Sequence, residues 1–286
     1  MKRIAILAAG IALLAGCSSD PQKNRSFLEG FGGVGTIFKD LYDLRTVEEK
    51  EEIQIGEGVA ATLLGARPLV DDPALQKYVN DVGLIIARRS ERPDLPWAFG
   101  VTDSDHVNAF ATPGGNVLVT RGLIRALRNE SELAGVLAHE IAHVTQKHHL
   151  RAMRKGALVN IVSTTAGVAA ATQGAAELGS AIASATKELY LRGLDRDDEF
   201  EADRLGVVYA ARAGYDAFGL AGVMQTLSAA PNDGAYVALL FKTHPLPADR
   251  LAKLSEAMGV RFEDCCGRPK DDAEFQQLTA WTRAEH

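Results

Sequence analysis

The chain has 286 residues, 47% of them hydrophobic and 24% charged. That is ample material for one large domain or two small ones with a real core, which excludes a disordered or fibrous chain. A formal net charge of −6 with no strongly basic segment excludes nucleic acid as a main partner.

At the start, Lys2 and Arg3 precede an unbroken apolar run from Ile4 to Ala15, followed by Gly16-Cys17 and the polar Ser18, Ser19 and Asp20. The run is shorter than the roughly 20 apolar residues of a membrane-spanning helix. It has the layout of an export signal with small residues at the cleavage point. The cysteine at its end makes residues 1–16 resemble a bacterial lipoprotein signal, with Cys17 taking the lipid and becoming the new N-terminus. Ser18 in place of an aspartate resembles the pattern of lipoproteins sent to the outer membrane. The expectation is therefore an N-terminal lipid on Cys17 and residence at the periplasmic face of the outer membrane of a Gram-negative bacterium.

Residues 17–47 read as a polar, glycine-rich tether around Phe31-Gly32-Gly33-Val34-Gly35. A helix is predicted over 48–66, opening in an acidic run. Asp71-Asp72-Pro73 opens a second, whose Leu75, Val79, Val82 and Ile86 recur at helical spacing. Pro93 and Pro96 break the pattern before a short strand at Trp97–Val101. Asn108–Ala111 and Gly115–Thr120, parted by the turn residues Thr112-Pro113-Gly114-Gly115, read as adjacent strands of a small sheet.

Asn129 begins a further helix, with Glu132 placed for a capping box. Its apolar face is Leu133, Val136, Leu137, Ile141 and Val144, and it is expected to run past His149. Residues 156–186 are rich in small residues and carry no charge from Ala157 to Ala176. They read as small-residue helices packed on the domain or as a lid over a cleft, with membrane contact or self-association as the alternative. Helices follow at about Asp195–Ala213, closed by Gly214, at about Ala217–Ala229 with Asp216 as cap, and from near Pro247 through Leu254. Residues 261–286 read as a tail, and the adjacent Cys265 and Cys266 as structural or incidental, because neighbouring cysteines rarely reach good disulfide geometry. Helix dominates with one small sheet, an α+β class.

The chemistry is concentrated in His139-Glu140-Ile141-Ala142-His143. Residues four apart on a helix sit about 40° apart, so the two imidazoles can share one metal ion, while Glu140 can act on a water beside it. A catalytic zinc takes a third protein ligand and keeps a position open. The acidic stretch Asp197–Asp203 offers candidates. Glu199 and Asp203 share a face, a natural ligand and orienter, while Glu201 points about 200° away from Glu199 and stays as the alternative. His148 and His149 lie about 180° and 280° round the helix from His139, so they cannot share its metal. With His106 and His286 they read as solvated.

These segments resemble the M48 peptidases, the family of HtpX-type and CAAX prenyl endopeptidases, and particularly their soluble periplasmic lipoprotein branch. Leu137-Ala138-His139-Glu140-Ile141-Ala142-His143 is similar to the family's metal helix. Glu199-Phe200-Glu201-Ala202-Asp203 is similar to its third-ligand motif, in which the first glutamate binds zinc and the aspartate supports it. Asn108 through Gly115 is similar to the segment leading into its substrate-binding edge strand, and Thr243-His244-Pro245 with Arg250 to a late motif near the active site. The resemblance covers roughly residues 48–260.

It implies a mostly helical gluzincin-type (zincin) domain whose small sheet binds substrate along an edge strand, taken as Gly115–Thr120, with Asn108, Gly115, Asn116 and Val117 at the substrate. One zinc ion per chain would be held by His139, His143 and Glu199, with Asp203 behind them. Glu140 would be the base, and His244 and Arg250 would assist at the oxyanion or the open metal position. The implied activity is a zinc metalloendopeptidase acting on unfolded or misassembled envelope proteins. The rival is a chaperone-like or partner-binding module with a regulatory zinc site.

Overall fold

The computed structural model describes residues 47–153, 193–229, 244, 247–259 and 272–283. The expected signal peptide, Cys17 and its tether, the 156–186 segment, Thr243, Pro245, Cys265, Cys266 and His286 lie outside the described residues. Helices α1 (Glu49–Ala66), α2 (Pro73–Ala87), α3 (Arg121–Ala126), α4 (Glu130–Thr145), α5 (Arg196–Arg212), α6 (Gly219–Ala229), α7 (Pro247–Met258) and α8 (Ala273–Arg283) accompany strands β1 (Ala98–Thr102), β2 (Ala109–Ala111) and β3 (Asn116–Thr120). This is the mostly helical α+β architecture that the sequence implies. No helix among the described residues is long and apolar enough to cross a membrane.

Local chemistry explains the boundaries. Asp72 caps α2 by accepting from the amides of Ala74 and Leu75 at 3.1 and 3.0 Å, with Pro73 in the first turn. The stripe Leu75, Val79, Val82 and Ile86 is buried as its spacing requires. Asn129 caps α4 through the Glu132 amide at 2.8 Å. The Glu132 carboxylate reaches one residue further back than a capping box would, to the Arg128 amide at 2.7 Å.

The sheet order is β1-β3-β2, with β1 parallel and β2 antiparallel to β3. This corrects the expected edge: the Gly115–Thr120 strand is central and hydrogen-bonded on both sides, so it offers no free edge to a peptide. The outer side of β1 is covered as well. Asn80 Oδ1 accepts from the Phe99 amide, Gln76 Oε1 accepts from the Val101 amide, and the Val70 amide donates to the Val101 carbonyl. Among the described residues β2 flanks β3 on the other side and packs against α4.

The main core joins α2, the sheet, α4 and α5 through residues such as Ile86, Val101, Val119, Leu137, Ile141 and Tyr209. A smaller core of Val207, Leu220, Met224, Leu254 and Met258 ties α5, α6 and α7 together. The expected tail carries a helix instead. Phe275 of α8 is fully buried in the main core, and Asp272 accepts from the Glu130 amide at 3.0 Å. Phe275, Leu278 and Trp281 recur every three residues here, a helical spacing that the reading as a tail passed over.

Candidate metal centre

Helices α4 and α5 lie against each other, and a glycine sets how closely. A Cβ added at Gly206 would stand 2.9 Å from the His139 backbone nitrogen and 3.0 Å from its Cα. The approach buries His139, Glu140, His143, Glu199 and Asp203 together. His139 Nε2 is 3.0 Å from His143 Nε2, while Glu199 oxygens lie 3.6 and 3.5 Å from these two atoms. Tetrahedral zinc with bonds of about 2.0–2.1 Å separates its ligand atoms by about 3.4 Å. Glu199 Oε1 is buried with no hydrogen-bond partner among the described residues, the kind of oxygen a cation satisfies. The donor set therefore fits a zinc ion.

The electrostatics agree. Burial and the Arg250 charge oppose a cation on His139, but hydrogen bonds to Asp203 and Glu199 outweigh them and raise its pKa to about 9. His143 goes the other way: burial and the His139 charge hold its pKa well below the usual value. Glu199 is held well below the carboxylate range: burial opposes this, and the charges of His244 and Arg250 and the neighbouring histidines prevail. Burial pushes Glu140 up, and its Oε2 has no hydrogen-bond partner among the described residues. A carboxyl raised by burial, with one oxygen open beside a metal point, is suited to exchanging protons.

Behind His139, Nδ1 lies 2.9 Å from Asp203 Oδ1, which leaves Nε2 for the metal. Arg250 forks onto Asp203, with Nε to Oδ2 at 2.9 Å and Nη2 to Oδ1 at 2.5 Å, and places Nη1 3.4 Å from Glu199. This corrects the expected oxyanion or gating role: the guanidinium is taken up by two carboxylates and clamps them. His244 does enter the centre. Its Nδ1 is 2.8 Å from Glu199 Oε2 and its Nε2 is 3.9 Å from Glu140 Oε1. With His139, His143 and Glu199 it forms a set of four donors whose ligand atoms all lie within 4.8 Å of one another.

Two expectations fail here. The metal helix does not run past His149. It ends at Thr145, and Lys147 turns the chain with a φ of 57° before it is helical again over 148–153. His148 and His149 are consequently buried, not solvated, and burial with the charge of His244 takes His149 down to about 3. A left-handed lysine gives no turn signal in sequence. Glu201, the open alternative as third ligand, stands away from the donors and 3.2 Å from His148 Nε2.

The residues expected at the substrate are engaged within the sheet. The Asn108 carbonyl accepts from the Thr120 amide, and the Gly115 carbonyl accepts from the Ala98 amide. Asn116 bonds Thr112, and Val117 is fully buried between β1 and β2. Gly114 and Gly115, at φ of 79° and 112°, serve the turn. Gly206 and His148 are the residues that sequence reasoning missed. A glycine inside a helical pattern was the available signal for the first.

The Peptidase family M48 model matches residues 73–258. The chain is 34% identical over 221 residues to the Beta-barrel assembly-enhancing protease of Escherichia coli (strain K12), covering 72% of this chain and 44% of that protein. It is 34% identical over 220 residues to the protein of that name from Yersinia pestis, with the same coverage. The Metalloendopeptidase OMA1, mitochondrial, of Bos taurus is 30% identical over 188 residues, 62% of this chain and 35% of its own length. The chain thus spans less than half the length of these relatives.

Proposed function

Because the chain belongs to Peptidase family M48, we propose that it is a zinc metalloendopeptidase of the bacterial envelope. It is anchored by a lipid on Cys17 at the periplasmic face of the outer membrane and cleaves misfolded or stalled envelope proteins. The observation that carries the activity is the convergence of His139, His143 and Glu199 beside Glu140, whose Oε2 has no hydrogen-bond partner among the described residues. The location draws on the lipoprotein-like first residues. The substrate class draws on relatives whose name joins a protease to β-barrel assembly.

His139, His143 and Glu199 would hold the zinc, which when bound supplies the positive charge that acidifies a water and polarises the scissile carbonyl. Asp203 keeps the His139 proton on Nδ1, and Arg250 holds Asp203 and Glu199 in place. Glu140 takes a proton as the water oxygen bonds the carbonyl carbon. It returns that proton to the amine as the C–N bond breaks.

A second reading has one observation in its favour. His244 can complete four protein donors, and four protein ligands are the mark of a closed zinc site. One set of measurements separates the two: zinc content and cleavage of an unfolded outer-membrane β-barrel protein by the wild type, Glu140→Gln and His244→Ala. The peptidase reading expects zinc in all three and cleavage abolished in Glu140→Gln. Undetectable cleavage in both wild type and His244→Ala would favour the partner-binding module.

A further inference from the structure

The metal-facing geometry accounts for one nitrogen of His143 and leaves the other to be explained. If Nε2 carries the lone pair turned toward His139 Nε2 and Glu199, the ring proton sits on Nδ1. That Nδ1 points at the Nδ1 of His148, 2.8 Å away, and both side chains are fully buried. His148 Nδ1 must then accept, which puts its own proton on Nε2. This Nε2 faces Glu201 Oε2 at 3.2 Å, with Asp198 Oδ1 at 3.7 Å. Arg151 already occupies that Asp198 oxygen at 2.9 Å, so Glu201 is the better acceptor.

We propose that His148 is a positioning residue of the metal centre: it fixes the tautomer and ring orientation of His143 and links that ligand to the carboxylate of Glu201. The inference rests on the zinc-peptidase reading and extends it. A ligating imidazole ordinarily gives its second N–H directly to a carboxylate or carbonyl. Here a second imidazole is interposed, so the chain of donors and acceptors reaches a half-exposed surface acid. The interposition exists because the chain reverses at Lys147. On an unbroken helix His148 would stand on the far side from His139.

His148, Asp198 and Glu201 could instead be taken for a second cation site, since their donor atoms lie within 4.8 Å of one another. The protons argue against it. A cation on His148 Nε2 would put a proton on its Nδ1, facing the proton on His143 Nδ1 across 2.8 Å. Two metals, one on each Nε2, would therefore set two donors against each other, and Arg151 already compensates Asp198.

The test uses the full chain, with zinc affinity measured by chelator competition, metal stoichiometry, and the visible spectrum of the cobalt(II)-loaded protein. His148→Leu fills the volume without an acceptor, and His148→Asn returns an oxygen near the position of Nδ1. The expected result is zinc bound about 10–100-fold more weakly by His148→Leu with shifted cobalt bands. His148→Asn should recover most of that loss, and wild type should bind one zinc. Equal affinity and an unchanged cobalt spectrum in His148→Leu would overturn the proposal, as would equal weakness of the Leu and Asn variants. Two zinc ions in the wild type, falling to one in His148→Asn, would overturn it in favour of a second site. Should His148→Leu not fold, Glu201→Ala decides: a few-fold weaker zinc supports the link, and unchanged affinity rejects it. A wild type that binds no zinc would sink the peptidase reading itself, a different outcome from all of these.

Discussion

The two histidines of the metal helix face one point with the same atom, yet what stands behind them differs. His139 rests on Asp203, a buried carboxylate gripped by the fork of Arg250, which in turn reaches Glu199. His143 rests on the imidazole of His148, and only through it on Glu201, whose side chain is 41% exposed. One side is a charged network closed inside the core between α4, α5 and α7. The other runs outward through a turn. The difference teaches that equal ligands can be held with unequal rigidity, and that the loss from cutting each support should be unequal too.

The largest effect is expected from Asp203→Asn, which breaks the buried side. It removes the charge that holds the His139 proton on Nδ1 and leaves Arg250 with Glu199 as its remaining ion-pair partner among the described residues. Zinc affinity should fall about 10–100-fold. The unfolding free energy should drop by about 3 kcal/mol, as when one partner of a buried pair is removed. Chelator competition and urea unfolding measure the two. If Asp203→Asn proves no worse than Glu201→Ala in both, the two sides are equivalent after all.

A substitution at Gly206 sharpens the comparison without touching a ligand. Its added methyl would press on the His139 backbone at 2.9–3.0 Å, where little can yield, and not on His143. Gly206→Ala should cost about 1–3 kcal/mol by overpacking, with zinc affinity reduced less than in Asp203→Asn. Gly58, in the exposed part of α1 with nothing within 4 Å of the added Cβ, is the control. Gly58→Ala should be neutral or slightly stabilising, by less than about 1 kcal/mol.

How much of this could be read from the residues follows the same division. The buried side was legible: Glu199 and Asp203 four apart in a helix predict a shared face, and His139 with His143 predicts the convergence. Helical spacing carries that information because both helices are regular there. The outward side was not, since it depends on Lys147 adopting a φ of 57°, and nothing in the lysine announces it. Angular reckoning on an unbroken helix then sent His148 and His149 to solvent. The sheet failed for another reason. Strand identity came from turn residues and alternation, but strand order depends on the crossover from β1 to β3, which leaves no local trace. Arg250 lies beside Glu199 and Asp203, and its fork onto Asp203 emerges only from packing of α7 on α5.

The turn on the His143 side has its own anchor, and that anchor titrates. Glu52 of α1 is buried and accepts from Arg92 Nη1 at 2.6 Å, with Lys147 Nζ at 2.9 Å. Arg92 Nη1 also donates to the Val144 carbonyl at the end of α4, at 3.4 Å. Burial alone would raise the Glu52 pKa, but the hydrogen bonds and charges of Arg92 and Lys147 outweigh it and lower it from 4.5. A carboxylate with a depressed folded-state pKa contributes its stability in full above the unfolded value and loses it as pH falls through the folded value. Glu52→Gln should therefore be less stable than wild type by about 1–3 kcal/mol at neutral pH. That gap should close as pH falls below 4.5. Denaturant unfolding at a series of pH values reads it. Zinc affinity at neutral pH should change least of all the variants at the centre, because the substitution loosens the end of the metal helix and leaves every donor atom in place. A gap that stays constant down to acid pH would show that Glu52 acts through packing and not through its charge.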